Sequence, residues 1–329
     1  MRFTHVGVAA LAVAALALTA CSGATPAAEG SGDGGSSDGA FPVTVTTEFG
    51  DVTVDEKPVR VVALGWGDAE TALALGVQPV GASDWLGFGG EGVGPWAEGL
   101  YDTAPEIIET LEPSYEAIAA LKPDLILDTK SSGDQDRYDK LSSIATTIGV
   151  PEGKTSYLTT MDEQMTLVSS ALGLKSEGDD LLAEVDATYE AAAAAHPEWK
   201  GLTVSAATKT SEGWGAYVEG SERVRFLERL GFVQSPKIAD LPANSSGFSV
   251  DISSEQLDLL DADLIVAFPI FIPTTEITDD PLWAAVPAVA AGHSVVIDGD
   301  ISSAYSLGTT LAAKYSIENL VPIIADALG

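Results

Sequence analysis

"SYEAIAALKPDLIL" occupies residues 114–127, and "SSEQLDLLDADLIV" occupies residues 253–266. Aligned without gaps, they are identical at six of fourteen positions: Ser114/Ser253, Glu116/Glu255, Leu121/Leu260, Asp124/Asp263, Leu125/Leu264 and Ile126/Ile265. Each reads as a short helix running into a short apolar strand of the kind that parallel sheets bury on both faces. Ser253 and Gln256 are spaced as a capping box. The copies lie too far apart for a solenoid period. They indicate two similar lobes placed end to end.

Other strand signals divide between the same halves. Residues 60–64 (RVVAL), 79–81 and 125–128 belong to the first, and residues 202–207, 216–218, 264–268 and 294–297 to the second. Helical patterns over 68–75, 137–148 and 223–230 alternate with them, which predicts parallel sheets. Residues 43–54 (VTVTTEFGDVTV) alternate with period two about Gly50-Asp51 and predict an N-terminal hairpin. Between the halves runs SEGDDLLAEVDATYEAAAAAH, residues 176–196. Ser176 and Asp179 suit a helix start, Leu181, Leu182, Val185 and Tyr189 share one face, and Pro197 stops it.

The first residues carry a different signal. Met1-Arg2-Phe3-Thr4-His5 is a short positive start, and the apolar run over 6–18 falls short of the ~20 residues a spanning helix needs. That is the form of a secretory signal peptide. Leu18-Thr19-Ala20-Cys21 resembles a bacterial lipobox, and Cys21 is the sole cysteine. Residues 22–40 are Ser, Gly, Ala, Thr and one Pro with three acids, a flexible tether of roughly 25 Å reach. The expected organisation is therefore a lipoprotein signal peptide (1–20), lipidated Cys21 with a linker (21–40), a first lobe (41–175), a bridging helix (176–197) and a second lobe (198–329). The fold class is α/β: two lobes, each with a central, mostly parallel sheet flanked by helices, joined by one long rigid helix. The expected location is the extracytoplasmic face of the cell membrane.

Charge and composition exclude several functions. With 16 Lys+Arg against 49 Asp+Glu, the formal net charge is −33, opposite to what nucleic-acid binding needs. Of three histidines, His5 leaves with the signal peptide, and His196 and His293 have no motif around them. The one Gly-x-Ser-x-Gly match, Gly35-Ser36-Ser37-Asp38-Gly39, lies in the linker rather than at a strand-to-helix elbow, and no HExxH is present. Neither an enzyme nor a directly bound metal is expected, and no cofactor. Gly87-Phe88-Gly89-Gly90-Glu91-Gly92 matches G-x-G-x-x-G but opens no helix, so it reads as a loop rather than a phosphate cradle.

Aromatic residues gather instead in loops after strand ends, where open α/β sheets bind ligands. Trp66, Trp85, Trp96, Trp214, Tyr217, Phe248, Phe271 and Tyr305 are the candidate ligand-binding rings. Lys130, Arg137 and Arg223 are the candidate ligand-binding cations; Lys209 and Arg225 also lie near such loops.

From residue 41 to its end the chain resembles the iron-siderophore substrate-binding lipoproteins of bacterial ABC importers, the helix-hinged class III group. The likeness lies in EAIAALKPDLIL (116–127), RYDKLSSIATTIG (137–149), ISSEQLDLLDADLIVAF (252–268) and PLWAAVPAVAAGHSVVID (281–298). GWGDAETALALGVQPVGASDW (65–85) looks most like actinobacterial members. The resemblance implies a monomer that holds a ferric siderophore between its lobes, with iron bound through the siderophore. It also implies docking to permease subunits by one acid on each lobe. Glu255 matches the second-lobe acid; Asp139, or nearby Asp136, matches the first. Few cations in an acidic chain favour a neutral or cationic hydroxamate chelate over a catecholate. Alternatives are haem, with Tyr217 or Tyr305 as axial ligand, cobalamin, and, in another class, a secreted lipid-anchored hydrolase.

Overall fold

The computed structural model describes residues 39–155 and 157–329. The signal peptide, Cys21 and almost all of the linker lie outside the described residues. No helix among the described residues is long and apolar enough to cross a membrane.

The chain enters through an antiparallel hairpin, β1 (Val43–Thr47) and β2 (Gly50–Val54). Thr47 pairs with Gly50, so the turn is Glu48-Phe49, two residues before the Gly50-Asp51 turn that alternation predicts. Gly50 sits within the strand pairing at φ +102°, a conformation that favours glycine. The first lobe follows: β3 (Val61–Ala63), α1 (Asp68–Ala74), β4 (Gly81–Ser83), β5 (Glu106–Ile108), α2 (Tyr115–Ala120), β6 (Leu125–Leu127), α3 (Gln135–Ser142), β7 (Thr146–Ile148) and α4 (Met161–Ala171). Its sheet runs β5-β4-β3-β6-β7, parallel throughout. β3 and β6 are buried on both faces, as continuous Val/Leu/Ile runs require. The pattern over 137–148 resolves into two elements, because the chain leaves α3 after Ser142 and pairs Thr146–Ile148 with β6.

α5 (Lys175–Ala195) is 21 residues long, about 31 Å. It starts after Leu174 without a side-chain cap, so Ser176 and Asp179 fall inside the helix rather than opening it. Near its start, Gly178 lets it approach α4, since a Cβ there would press on the Ser169 side chain. Further along, Val185 and Tyr189 bury into the second lobe's core beside Val204 and Leu227. One helix thus packs on a first-lobe helix at its start and enters the second lobe's core further along.

The second lobe contains β8 (Thr203–Thr210), β9 (Gly213–Tyr217), α6 (Glu222–Arg229), β10 (Val233–Gln234), β11 (Ser249–Ile252), β12 (Leu264–Pro269) and β13 (Ser294–Val296). Its sheet is mixed: β10, β12 and β13 run parallel to their neighbours, while β8-β9 and β9-β11 are antiparallel. The proposed Ser253–Gln256 capping box does not form. Ser253 caps no backbone amide, and Ser254–Leu260 is 3-10 structure broken by a kink at Gln256. In the first copy, by contrast, Ser114 accepts from the Ala117 amide and α2 is a regular helix.

Candidate functional site

A cavity of about 410 Å³ lies where the two lobes meet, within the usual range for small-molecule sites. Its first-lobe residues all follow the carboxyl ends of parallel strands. Trp66 follows β3, Trp85 follows β4, Leu111 follows β5, Lys130 follows β6, and Tyr157 follows β7. The second lobe supplies Tyr217 at the end of β9, Ser221 and the start of α6 (Glu222, Arg223), Phe248, and Phe268 to Phe271 at the end of β12. Ser302, Ser303 and Ser306 of the helix Gly299–Leu307 complete it.

The rings form a continuous arc. Trp66 and Trp85 are 5.6 Å apart between centroids, Trp85 and Tyr157 5.5 Å, and Tyr157 reaches Phe248 of the other lobe at 6.3 Å. Phe248 stacks on Tyr217 at 6.3 Å, and Tyr217 on Phe268 at 5.8 Å. Arg223 closes the arc, its guanidinium carbon 4.4 Å from the Tyr217 ring centre and 5.3 Å from that of Trp66. Such cation–ring stacking holds a charge in an apolar wall without a carboxylate beside it. Each indole is fixed by its N–H: Trp85 Nε1 donates to Leu64 O at 2.9 Å, and Trp66 Nε1 to Leu307 O, across the lobes, at 3.2 Å. At the mouth stand Leu111 (71 % exposed) and Phe271 (97 % exposed), the latter with left-handed φ of +55°. That backbone state is uncommon for a bulky residue.

The polar floor is unusual. Lys130 Nζ, Ser221 Oγ, Glu222 Oε2 and Arg223 Nε are buried and make no hydrogen bond within the described protein. Burial pushes the Lys130 ammonium below its ordinary pKa, against the opposing pull of Glu222. Buried polar groups are otherwise almost always partnered, so these four atoms are open to a polar guest or to water.

Seven candidates from the sequence line this cavity: Trp66, Trp85, Lys130, Tyr217, Arg223, Phe248 and Phe271. Four do not. Trp214 is three residues from Tyr217 on one strand, so the two face opposite sides of the sheet. It stacks on Trp283 at 5.1 Å in the core beneath, with Lys209 over its ring. Trp96 turns away to donate Nε1 to buried Glu70 at 2.8 Å and to pack on Tyr315. Tyr305 is buried below the floor, and its hydroxyl donates to Arg223 O at 2.8 Å. That contact positions the arginine and removes Tyr305 as an axial ligand for haem. Arg137 pairs with Asp128 at 2.8 Å and donates to the carbonyls of Thr110 and Leu111 at 3.2 and 3.3 Å. It therefore shapes the loop that presents Leu111.

Tyr157, Glu222 and Phe268 were absent from the sequence candidates. Tyr157 sits alone in a loop with no motif, while Glu222 is hidden among 49 acids. Phe268 had the signal, a ring ending a buried strand, but reads as core. The Gly87–Gly92 loop folds on Asp84, whose carboxylate accepts from the amides of Gly87, Phe88 and Gly89 at 2.8–3.0 Å. Those amides are already satisfied by an acid. Asp136, Asp139 and Glu255 are exposed. Asp139 accepts from Gln135 Nε2 at 2.8 Å.

Among the described residues no group of three or more His, Cys, Asp and Glu side chains is placed to hold a metal ion.

Comparison with known proteins agrees with this architecture. The chain is 28 % identical over 283 residues to the probable siderophore-binding lipoprotein YfiY of Bacillus subtilis, covering 81 % of this chain and 82 % of that one. A periplasmic solute binding protein of Mycobacterium smegmatis superposes with a TM-score of 0.75 at 27 % identity, covering 88 % of this chain and 99 % of that one. Streptococcus pneumoniae PiaA in complex with ferrichrome superposes with a TM-score of 0.74 at 28 % identity, covering 87 % and 98 %. The family model for periplasmic binding proteins matches residues 61–301, a span running from β3 to the helix Gly299–Leu307 and taking in every wall of the cavity but its last serines. The chain belongs to the periplasmic binding protein family.

Proposed function

We propose that this chain is the solute-binding component of an ABC importer, capturing a ferric siderophore of hydroxamate type in the cleft and handing it to a membrane permease. The observation that carries this reading is the aromatic arc closed by Arg223. It offers broad apolar walls and one stacked cation, which suit a bulky chelate of little net charge. Relatives point the same way, since PiaA is seen with ferrichrome and the Bacillus subtilis relative is named for siderophore binding. The family is one of solute binders rather than enzymes, which speaks against the hydrolase reading. Anchoring through a lipid on Cys21 keeps the carrier beside its transporter, and exposed Glu255 with Asp139 or Asp136 supplies the permease-docking acids.

Titration of intrinsic tryptophan fluorescence tests the reading. Trp66 and Trp85 line the cavity, so ferrichrome or a ferrioxamine should quench at micromolar concentration or below, and haem and cobalamin should not. Silence with every ferric siderophore would discard it. For docking, Glu255→Lys should abolish cellular uptake and leave that quenching intact; normal uptake removes the assignment.

A further inference from the structure

The cavity floor contains an ion pair that the aromatic arc does not explain. Lys130 of the first lobe and Glu222 of the second face each other, with Nζ and Oε2 3.8 Å apart and side chains only 4 % and 6 % exposed. That separation is too long for a hydrogen bond, and neither atom makes one elsewhere in the described protein. Glu222 is held in this place from behind. Gly308, at φ +62°, lies so close that a Cβ would overlap Glu222 Cγ. Lobe closure alone does not account for the pair, since buried charges cost more in desolvation than well-packed apolar side chains of the same size.

Arg223, next in sequence, differs. It stacks on Trp66 and Tyr217, and it forms no ion pair among the described residues. The charged side chains lining the cavity are thus Lys130, Glu222 and Arg223, two cations and one carboxylate. Lys130 is answered within the protein, and Arg223 is left for the guest.

We propose that Glu222 sets the charge of the chelate this cavity accepts: by neutralising Lys130 it leaves one net positive charge at Arg223, selecting a neutral or weakly charged ferric chelate over a multiply anionic one. This rests on the ferric-siderophore reading above and adds the residue that decides between chelates. A charge change at one wall of an aromatic-lined cavity acts on the guest at short range, through an effective dielectric below that of bulk water. The chain's overall acidity is common to every variant below and cancels in their comparison.

The test uses one chelate in three charge states: ferrioxamine B (cationic), its N-acetyl derivative (neutral) and its N-succinyl derivative (anionic). Ferrichrome is titrated alongside. Affinities are read by tryptophan quenching for the wild-type chain, Glu222→Gln, Lys130→Met and the double variant. The preference for the anionic over the cationic form should rise about tenfold or more in Glu222→Gln and fall by a similar factor in Lys130→Met. The double variant, with the wild-type charge restored, should return to within about threefold of wild type. A preference that stays within about threefold of wild type in either single variant overturns the proposal, and the two singles check each other should one fold poorly. Failure of wild type to bind any of the three forms also overturns it. Ferrichrome then separates the outcomes: if it binds, the siderophore reading stands without the charge rule, and if it does not, both fall.

Discussion

Asp124 and Asp263 occupy matching positions in the two repeats and do the same job in each lobe. Asp124 accepts from the amides of Val59 and Arg60 at 2.9 Å, at the entrance to β3. Asp263 accepts from the Thr203 amide and hydroxyl at 2.7 Å, at the entrance to β8. Each clamps the strand beside its own. Four residues further on the lobes diverge: Asp128 of the first lobe carries the Arg137 ion pair, whereas the matching residue in the second is Ala267, buried in an apolar core. The repeat therefore encodes a frame, and what each lobe shows its ligand is written outside the repeat.

The sharpest way to break that comparison is to give the first lobe the second lobe's residue. Asp128→Ala leaves the Arg137 guanidinium buried without the carboxylate that meets its Nε and Nη2 at 2.8–3.0 Å. Orphaning one partner of a buried pair costs about 3–5 kcal/mol, which urea unfolding would register. Removing both charges, as Asp128→Ala with Arg137→Met, should recover stability to within about 1 kcal/mol of wild type. A single variant as stable as wild type would mean that the pair contributes nothing and the lobes differ only in appearance.

A second contrast lies in the acids. Asp68 of α1 is fully buried, and burial lifts its carboxyl pKa from 3.8 to about 6, although Thr129 and Gln164 donate to it. Asp263 goes the other way, held below the usual carboxylate range by the Thr203 amide. The sign for Asp68 follows from proton counting: between pH 4 and pH 6 the folded chain holds a proton that the unfolded chain has lost. Stability is thus highest below pH 4 as far as this group is concerned, and it falls by about 3 kcal/mol as pH rises through 6. Asp68→Asn should remove that slope from the pH dependence of chemical unfolding. An unchanged slope would place the proton elsewhere.

These contrasts also mark what was legible in the sequence. The frame was, because it is local: apolar runs bury and the α5 face repeats with helical period, although the cap read at Ser253 forms only at its counterpart Ser114. Orientation was harder. Trp214 and Tyr217 look alike as aromatic residues near a strand end, yet the pleat sends them to opposite faces of one sheet, and only pairing register tells which faces the cleft. Charge partners were hardest. Lys130 and Glu222 come from different lobes and meet only once α5 has fixed the angle between them, so no spacing along the chain announces the pair.

The smallest expected effect tests the repeat itself. Asp124 and Asp263 are both exposed, so each clamp should be worth only about 1 kcal/mol when replaced by alanine, as for a solvent-screened bond from a charged acceptor. Lying in separate lobes, the two losses should add to within about 0.5 kcal/mol in the double variant. They should not be equal. β3 has three residues and β8 has eight, so the shorter strand has fewer ladder bonds to hold it once its entrance is released. Asp124 also orders two backbone amides where Asp263 orders one amide and a hydroxyl. Asp124→Ala should therefore cost more than Asp263→Ala in equilibrium unfolding, and the reverse order would show that β8 depends on its entrance more than its length suggests.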